Sequence, residues 1–172
     1  IRKTDDIESE AVKHSLKSPD VWDYEYETFL QAVKTSLMLN DWINEKNENF
    51  LNEQYDVAPG EIYAKIRNSE WMLYALSELA MLKGDREKAQ EINKLRFRIQ
   101  NGIKEELLDM IRIKGIGRVR ARMLWKNNIR TAADVKSNLS AVEKLFGKKI
   151  TDNIRQALAE DLDKKMRRLK NS

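Results

Sequence analysis

The sequence predicts an all-α protein: a helical bundle followed by a small basic domain of short helices. Three observations lead there. The 172 residues contain only six glycines and two prolines, so helix breakers are scarce. The chain is rich in Leu, Lys, Glu, Arg and Ala, and no stretch alternates apolar and polar residues as a half-buried strand does. Charge is split along the chain: residues 1–110 carry 15 Lys/Arg against 22 Asp/Glu, net −7, and residues 111–172 carry 17 against 6, net +11. A basic module behind an acidic one points to a polyanion, most economically nucleic acid. A solvated basic surface with no ligand is the plainer alternative.

Composition also excludes several classes. No run approaches the roughly eighteen apolar residues of a membrane span. Cysteine is absent, which rules out disulfides and thiolate metal sites and fits an intracellular protein. The chain starts Ile-Arg-Lys-Thr-Asp-Asp, without a signal-peptide pattern or an initiator Met, as expected of a fragment or a processed piece. No phosphate loop of the G-x-x-x-x-G-K-[ST] type is present, His14 is the single histidine, and no carboxylate pair stands out as an acid/base couple. The expectation is therefore a chain with no catalytic residues, no metal site and no bound cofactor of its own.

In chain order, Thr4 is placed to cap a helix over residues 4–16, with Asp5, Asp6 and Glu8 at its positive end. Lys17-Ser18-Pro19-Asp20 breaks it. The aromatic, acidic Val21–Tyr26 stretch leads into a helix reaching residues 42–45, and Trp22 and Trp42 read as core. Asn-rich residues 44–49 interrupt, and a short helix with Phe50, Leu51 and Tyr55 follows. Pro59 opens a long helix that Gly84 closes. Ile62, Ile66, Ser69, Leu73, Leu76 and Ala80 form its buried stripe. Gly60, Ala64, Arg67, Trp71, Tyr74 and Glu78 form a second stripe away from the core. An aromatic beside a guanidinium on such a face suits stacking on an unpaired base, and it equally suits packing on a neighbouring helix. Asp85 caps the next helix and Asn101-Gly102 ends it, before a short helix over residues 104–111.

The basic part then opens on Ile113-Lys114-Gly115-Ile116-Gly117-Arg118-Val119-Arg120-Ala121-Arg122. Two glycines around one isoleucine allow a tight turn into a helix whose first N–H groups lack partners. Such a turn can hold a phosphate, and adjacent arginines add charge and forked donors. This is the pattern of a helix-hairpin-helix grip on nucleic-acid backbone; a Gly-rich corner between packed helices is the alternative. Thr131 and Ser140 read as caps of two further helices, and Gly147-Lys148-Lys149 repeats the hairpin logic ahead of a helix from Ile150. The tail from Lys164 to Lys170 is basic. Helix-hairpin-helix DNA glycosylases resemble this turn, but their bifunctional members place a nucleophilic Lys two residues after the second glycine, and that position is Val119 here.

Several words together resemble the C-terminal part of archaeal Hjm/HelQ-type DNA helicases of superfamily 2. They are Leu39-Asn40-Asp41-Trp42-Ile43-Asn44-Glu45, Ala58-Pro59-Gly60-Glu61-Ile62, Glu70-Trp71-Met72-Leu73-Tyr74, Asn101-Gly102-Ile103-Lys104-Glu105-Glu106-Leu107-Leu108 and the hairpin itself. The resemblance implies an ATP-dependent enzyme moving 3′ to 5′ on single-stranded or forked DNA. ATP and Mg would bind RecA-like motor domains that, with a winged helix, precede this stretch. It implies a cytoplasmic, nucleoid-associated location in an archaeon, with replication or repair proteins as further partners. Residues 1–110 would be a ratchet domain and residues 111–172 a helix-hairpin-helix domain that holds the emerging tail. By the same resemblance Trp71 stacks on a base, while the family's ratchet arginine falls on Ala64, leaving Lys65 or Arg67 to replace it. The backbone contacts would be Lys114, Gly115, Gly117, Arg118, Arg120 and Arg122, with Lys148 and Lys149 from the second turn. A module that docks an acidic repair or replication protein is the rival reading.

Overall fold

The computed structural model describes the backbone of residues 4–14 and 17–170, and the side chains of residues 6–14 and 17–160. The protein is all-α: among the described residues every regular element is helical. It divides into two compact units, Ile1–Gly102 and Ile103–Ser172.

The first unit contains α1 (Thr4–Lys13), α2 (Tyr26–Ile43), α3 (Glu48–Tyr55), α4 (Pro59–Leu82) and α5 (Arg86–Asn101). Helix α1 begins at Thr4 itself and stops at Lys13; the Thr4 side chain and Leu16 lie outside the described residues. Local chemistry sets the other boundaries. The Asn47 side chain accepts a hydrogen bond from the Phe50 N–H at 2.8 Å and starts α3. Pro59 occupies the first turn of α4, and Glu61 reaches back to accept from the Ala58 N–H at 2.9 Å. Asp85 accepts from the Lys88 N–H at 3.0 Å to cap α5. Gly102 ends α5 in the left-handed region, at φ +60°.

The core of this unit gathers Met38, Trp42, Leu51, Tyr55, Ile62, Ile66 and Ile99. Its two polar aromatics bring their own partners. The Trp42 indole N–H donates to the Ile99 carbonyl at 2.7 Å, and the Tyr55 hydroxyl donates to Asp41 Oδ2 at 2.6 Å. Trp22 departs from expectation: it is 94% exposed, outside any core, in a loop of local turns. The buried stripe of α4 also differs. Ile62, Ile66 and Ala80 are buried, but Leu76 is 49% exposed and Ser77 takes its place. Helical repeat puts the stripe between residues 76 and 77 after about four turns. The small Ser77, Ala80 and Ala89 are buried where α4 and α5 pack together. The Ser77 hydroxyl is satisfied by the Tyr74 carbonyl at 2.8 Å.

The second unit contains a 3-10 turn (Glu105–Leu107), α6 (Leu108–Ile111), α7 (Arg118–Lys126), α8 (Ala132–Ser137), α9 (Leu139–Phe146) and α10 (Lys148–Lys170). Ile103, Leu107, Met110, Leu124, Val142 and Ile154 are fully enclosed in its core. The packing division and the charge switch near residue 111 therefore do not coincide. Charge is a surface property, whereas residues 103–110 are held by apolar side chains that belong to the second core. Thr131 caps α8 as expected, accepting from the Asp134 N–H at 3.1 Å while Asp134 accepts from the Thr131 N–H at 2.9 Å. Ser140 is not a cap: α9 starts at Leu139, one residue earlier, and Asn138 holds the cap position. Helix α10 starts at Lys148 rather than Ile150, directly after Gly147 at φ +81°.

Candidate nucleic-acid interface

The hairpin forms from its sequence in a simple way. Gly115 adopts φ +96°, which an L side chain rarely tolerates. A Cβ there would meet only Ile154 Cγ1, at an ordinary 3.7 Å, so it is the backbone conformation and not space that calls for glycine. Ile116 turns inward, 3% exposed, and its N–H bonds back to the Ile113 carbonyl at 3.0 Å. That buried side chain anchors the tip of the turn to the core. Gly117 is extended, at φ −92°, and caps the start of α7. Neither its backbone nor any neighbour within 4 Å demands glycine, which leaves open space above the helix end.

The three arginines do not share one face. Successive helical residues turn by about 100°, so Arg118 and Arg122 lie within about 40° of each other and Arg120 points away from both. Arg120 curls back instead, and its Nη1 donates to the Gly115 carbonyl at 2.7 Å. Arg122 Nη2 donates to Glu106 Oε1 at 2.8 Å, an ion pair between half-buried side chains. Burial by itself pushes the Glu106 carboxyl up. The hydrogen bonds from Arg122 and from its own backbone N–H, with the charges of Arg122 and Lys104, outweigh that and hold it below the usual range. Neither α7 nor α10 has an acidic residue in its first turn. Both positive helix ends instead carry cations, Arg118 and Arg120 on α7 and exposed Lys148 and Lys149 on α10. Lys114 is exposed on the turn itself.

In the first unit, Trp71 is 71% exposed on α4, on the face opposite Ile62 and Ile66, and Arg67 is exposed one turn before it. The second stripe is thus solvent-facing within its own unit. Lys65 leaves that face: its Nζ sits 3.3 Å from Thr35 Oγ1 on α2. Of the two candidates for replacing the arginine expected at position 64, only Arg67 shares the Trp71 face. Sequence reasoning missed Arg96. Its guanidinium stacks 5.3 Å from the Tyr74 ring and 5.2 Å from Phe97. It comes from α5, so no periodicity along α4 could have found it.

These features define an all-α protein with an exposed aromatic helix face in one unit and a basic glycine turn between two helices in the other. A sequence-family profile described as archaeal helicase, domain 4, matches residues 1–102. The chain is 41% identical over 126 residues to the ATP-dependent DNA helicase Hel308 of Methanocaldococcus jannaschii, covering 73% of this chain and 10% of that protein. It is 36% identical over 146 residues to the Hel308 of Pyrococcus abyssi, covering 81% and 20%. With the Hel308 of Thermoplasma volcanium it shares 40% over 120 residues, covering 69% and 18%. The chain belongs to the archaeal helicase domain 4 family, and it spans between a tenth and a fifth of the length of these relatives.

Proposed function

We propose that the chain is the DNA-guiding part of an ATP-dependent helicase that moves 3′ to 5′ on single-stranded DNA and processes forks. In this reading the α4 face of the first unit guides the translocating strand, with a base stacked on Trp71 and Arg67 beside it. The second unit holds the emerging tail through Lys114, the N–H groups at the start of α7, and Arg118 and Arg122. Lys148 and Lys149 make a second contact at the start of α10. Gly115 and Arg120 shape the turn, and Gly117 leaves room for the backbone to approach. ATP and Mg would act in RecA-like domains outside these 172 residues, which contain no G-x-x-x-x-G-K-[ST] phosphate loop. Those domains and a winged helix would be its partners in the same protein.

The observation that carries this reading is the hairpin. A glycine turn at φ +96° delivers a helix start whose first turn holds cations and no acid. Cations at a positive helix end repel it, and an arriving phosphate relieves that repulsion. Contacts of this kind bind backbone, not sequence, and weaken with salt. The test is a fluorescence-anisotropy titration of a 3′-tailed duplex at several salt concentrations. Lys114→Ala with Arg118→Ala is expected to weaken binding at every sequence and to reduce the salt slope by about one to two ions. Unchanged affinity and slope in a folded double variant would overturn the assignment.

A further inference from the structure

Before any strand arrives, the guanidinium groups of Arg120 and Arg122 are already engaged within the second unit, and the engagement of Arg122 has a consequence for binding. Arg122 is paired at 2.8 Å with Glu106, and the two side chains are 23% and 33% exposed. Glu106 sits on the 3-10 turn, which packs against α7 sixteen residues further on. Its carboxylate presents anionic oxygens to the guanidinium fork as a phosphodiester does, so the two compete for the same donors. The pair is shielded enough to persist in the free protein and open enough for exchange. It also lies on the hairpin helix, on the face Arg122 shares with Arg118, in a unit whose 18 Lys/Arg outnumber 9 Asp/Glu.

We propose that Glu106 is an affinity-setting residue, an internal competitor that occupies Arg122 in the free protein and is displaced from it by a DNA phosphate. No covalent step is involved; one ion pair replaces another. The proposal rests on the reading of the hairpin as a backbone grip. Its functional content is that the grip is set weaker than its positive charge alone would make it. When a phosphate leaves Arg122, Glu106 closes on the guanidinium, so a moving tail is released without an unpaired half-buried charge. Loss of a competitor strengthens binding, whereas loss of a mere staple between α7 and the 3-10 turn does not.

The experiment is a double-mutant cycle on the whole chain, read by anisotropy of a 3′-tailed duplex across a salt series, with thermal melts to confirm folding. Glu106→Gln keeps the shape and a neutral acceptor but removes the competing charge. It is expected to tighten binding about two- to fivefold, the range of a partly exposed ion pair. The salt slope is expected to stay close to that of the unmodified chain, because Arg122 meets a phosphate in both complexes and only the cost of displacing Glu106 is removed. Glu106→Ala, which removes the acceptor altogether, is expected to tighten binding at least as much. The gain must vanish when Arg122→Ala is present. If Glu106→Gln tightens binding equally with and without Arg122, the effect is general electrostatics and the proposal falls. If it lowers the melting temperature and leaves affinity unchanged, Glu106 is only a staple and the proposal falls. The Lys114/Arg118 double variant separates the two levels. If it weakens binding while Glu106→Gln does not tighten it, the competitor alone is refuted; if it has no effect either, the backbone grip is refuted with it.

Discussion

Gly102→Ala tests the packing that ends the first unit. The residue sits at φ +60°, and a Cβ built on it would lie 2.5, 2.7 and 2.9 Å from three atoms of the Trp42 indole. The left-handed conformation costs an alanine about 1–2 kcal/mol. The ring cannot simply step aside, because its N–H is fixed to the Ile99 carbonyl at 2.7 Å. Relief means either overpacking, at about 1–3 kcal/mol, or loss of that buried hydrogen bond at about 1–3 kcal/mol. The expected destabilisation is about 2–5 kcal/mol, a large part of the stability of a domain this size. The assay is urea unfolding followed by resolved amide NMR signals, since two compact units need not unfold in one transition. Signals of α2 and α5 report the first unit, and those of α7 and α10 the second. Gly102→Asn is the control: asparagine tolerates a left-handed backbone better than alanine but carries the same Cβ. If the steric term dominates, both variants lose most of the stability; if backbone conformation dominates, asparagine recovers about 1 kcal/mol. A loss below about 0.5 kcal/mol for Gly102→Ala would refute the placement of Trp42 against this glycine.

Two further outcomes are expected. If Trp71 stacks a base as proposed, Trp71→Ala removes about 1–3 kcal/mol per base and should weaken single-strand binding by roughly 5- to 150-fold at most. In the intact protein it should impair unwinding more than equilibrium binding, and wild-type unwinding by that variant would mean Trp71 has no role on the strand. The second concerns acid. Glu106 and Asp134 are both held below their ordinary values, 4.5 and 3.8. For Asp134 the causes are hydrogen bonds from the Arg130 N–H and then from the Thr131 hydroxyl and N–H. Carboxylates depressed in the folded state add stability above their ordinary values, and that stability is lost as pH falls through the folded ones. Melting of the second unit should therefore decline below about pH 4.5, and less steeply in a Glu106→Gln, Asp134→Asn variant. An identical acid limb would contradict the assignment.

Much of the local structure was legible in the chain. Asn47, Pro59, Asp85, Gly102, Thr131 and Gly147 all mark helix boundaries through chemistry within a few residues of themselves, so the sequence carries it directly. Trp22 was misleading because an aromatic residue looks the same in sequence whether a partner covers it or not. Ser140 was misleading because cap propensity at one position competes with Asn138 two residues earlier.

By itself the sequence determined the all-α class, the charge asymmetry, the glycine turn and the placement of Trp71 and Arg67 together on one side of α4, away from the core stripe. Each depends on composition, periodicity or short-range backbone conformation, and the sequence determined the family resemblance too, through words of residues in order. That this side of α4 is exposed within its unit was decided by the tertiary structure. Only tertiary structure decided how the cations are used. Arginines at 118, 120 and 122 look alike in sequence, yet the 100° turn of the helix sends Arg120 to the Gly115 carbonyl and Arg122 to Glu106. Lys65 and Arg67 are two residues apart, and one is drawn to Thr35 on α2 while the other stays exposed. Glu106 and Thr35 lie 16 and 30 residues from the cations they hold, and even the Gly115 carbonyl reaches Arg120 only because the turn folds back, so spacing along one helix does not encode these partners.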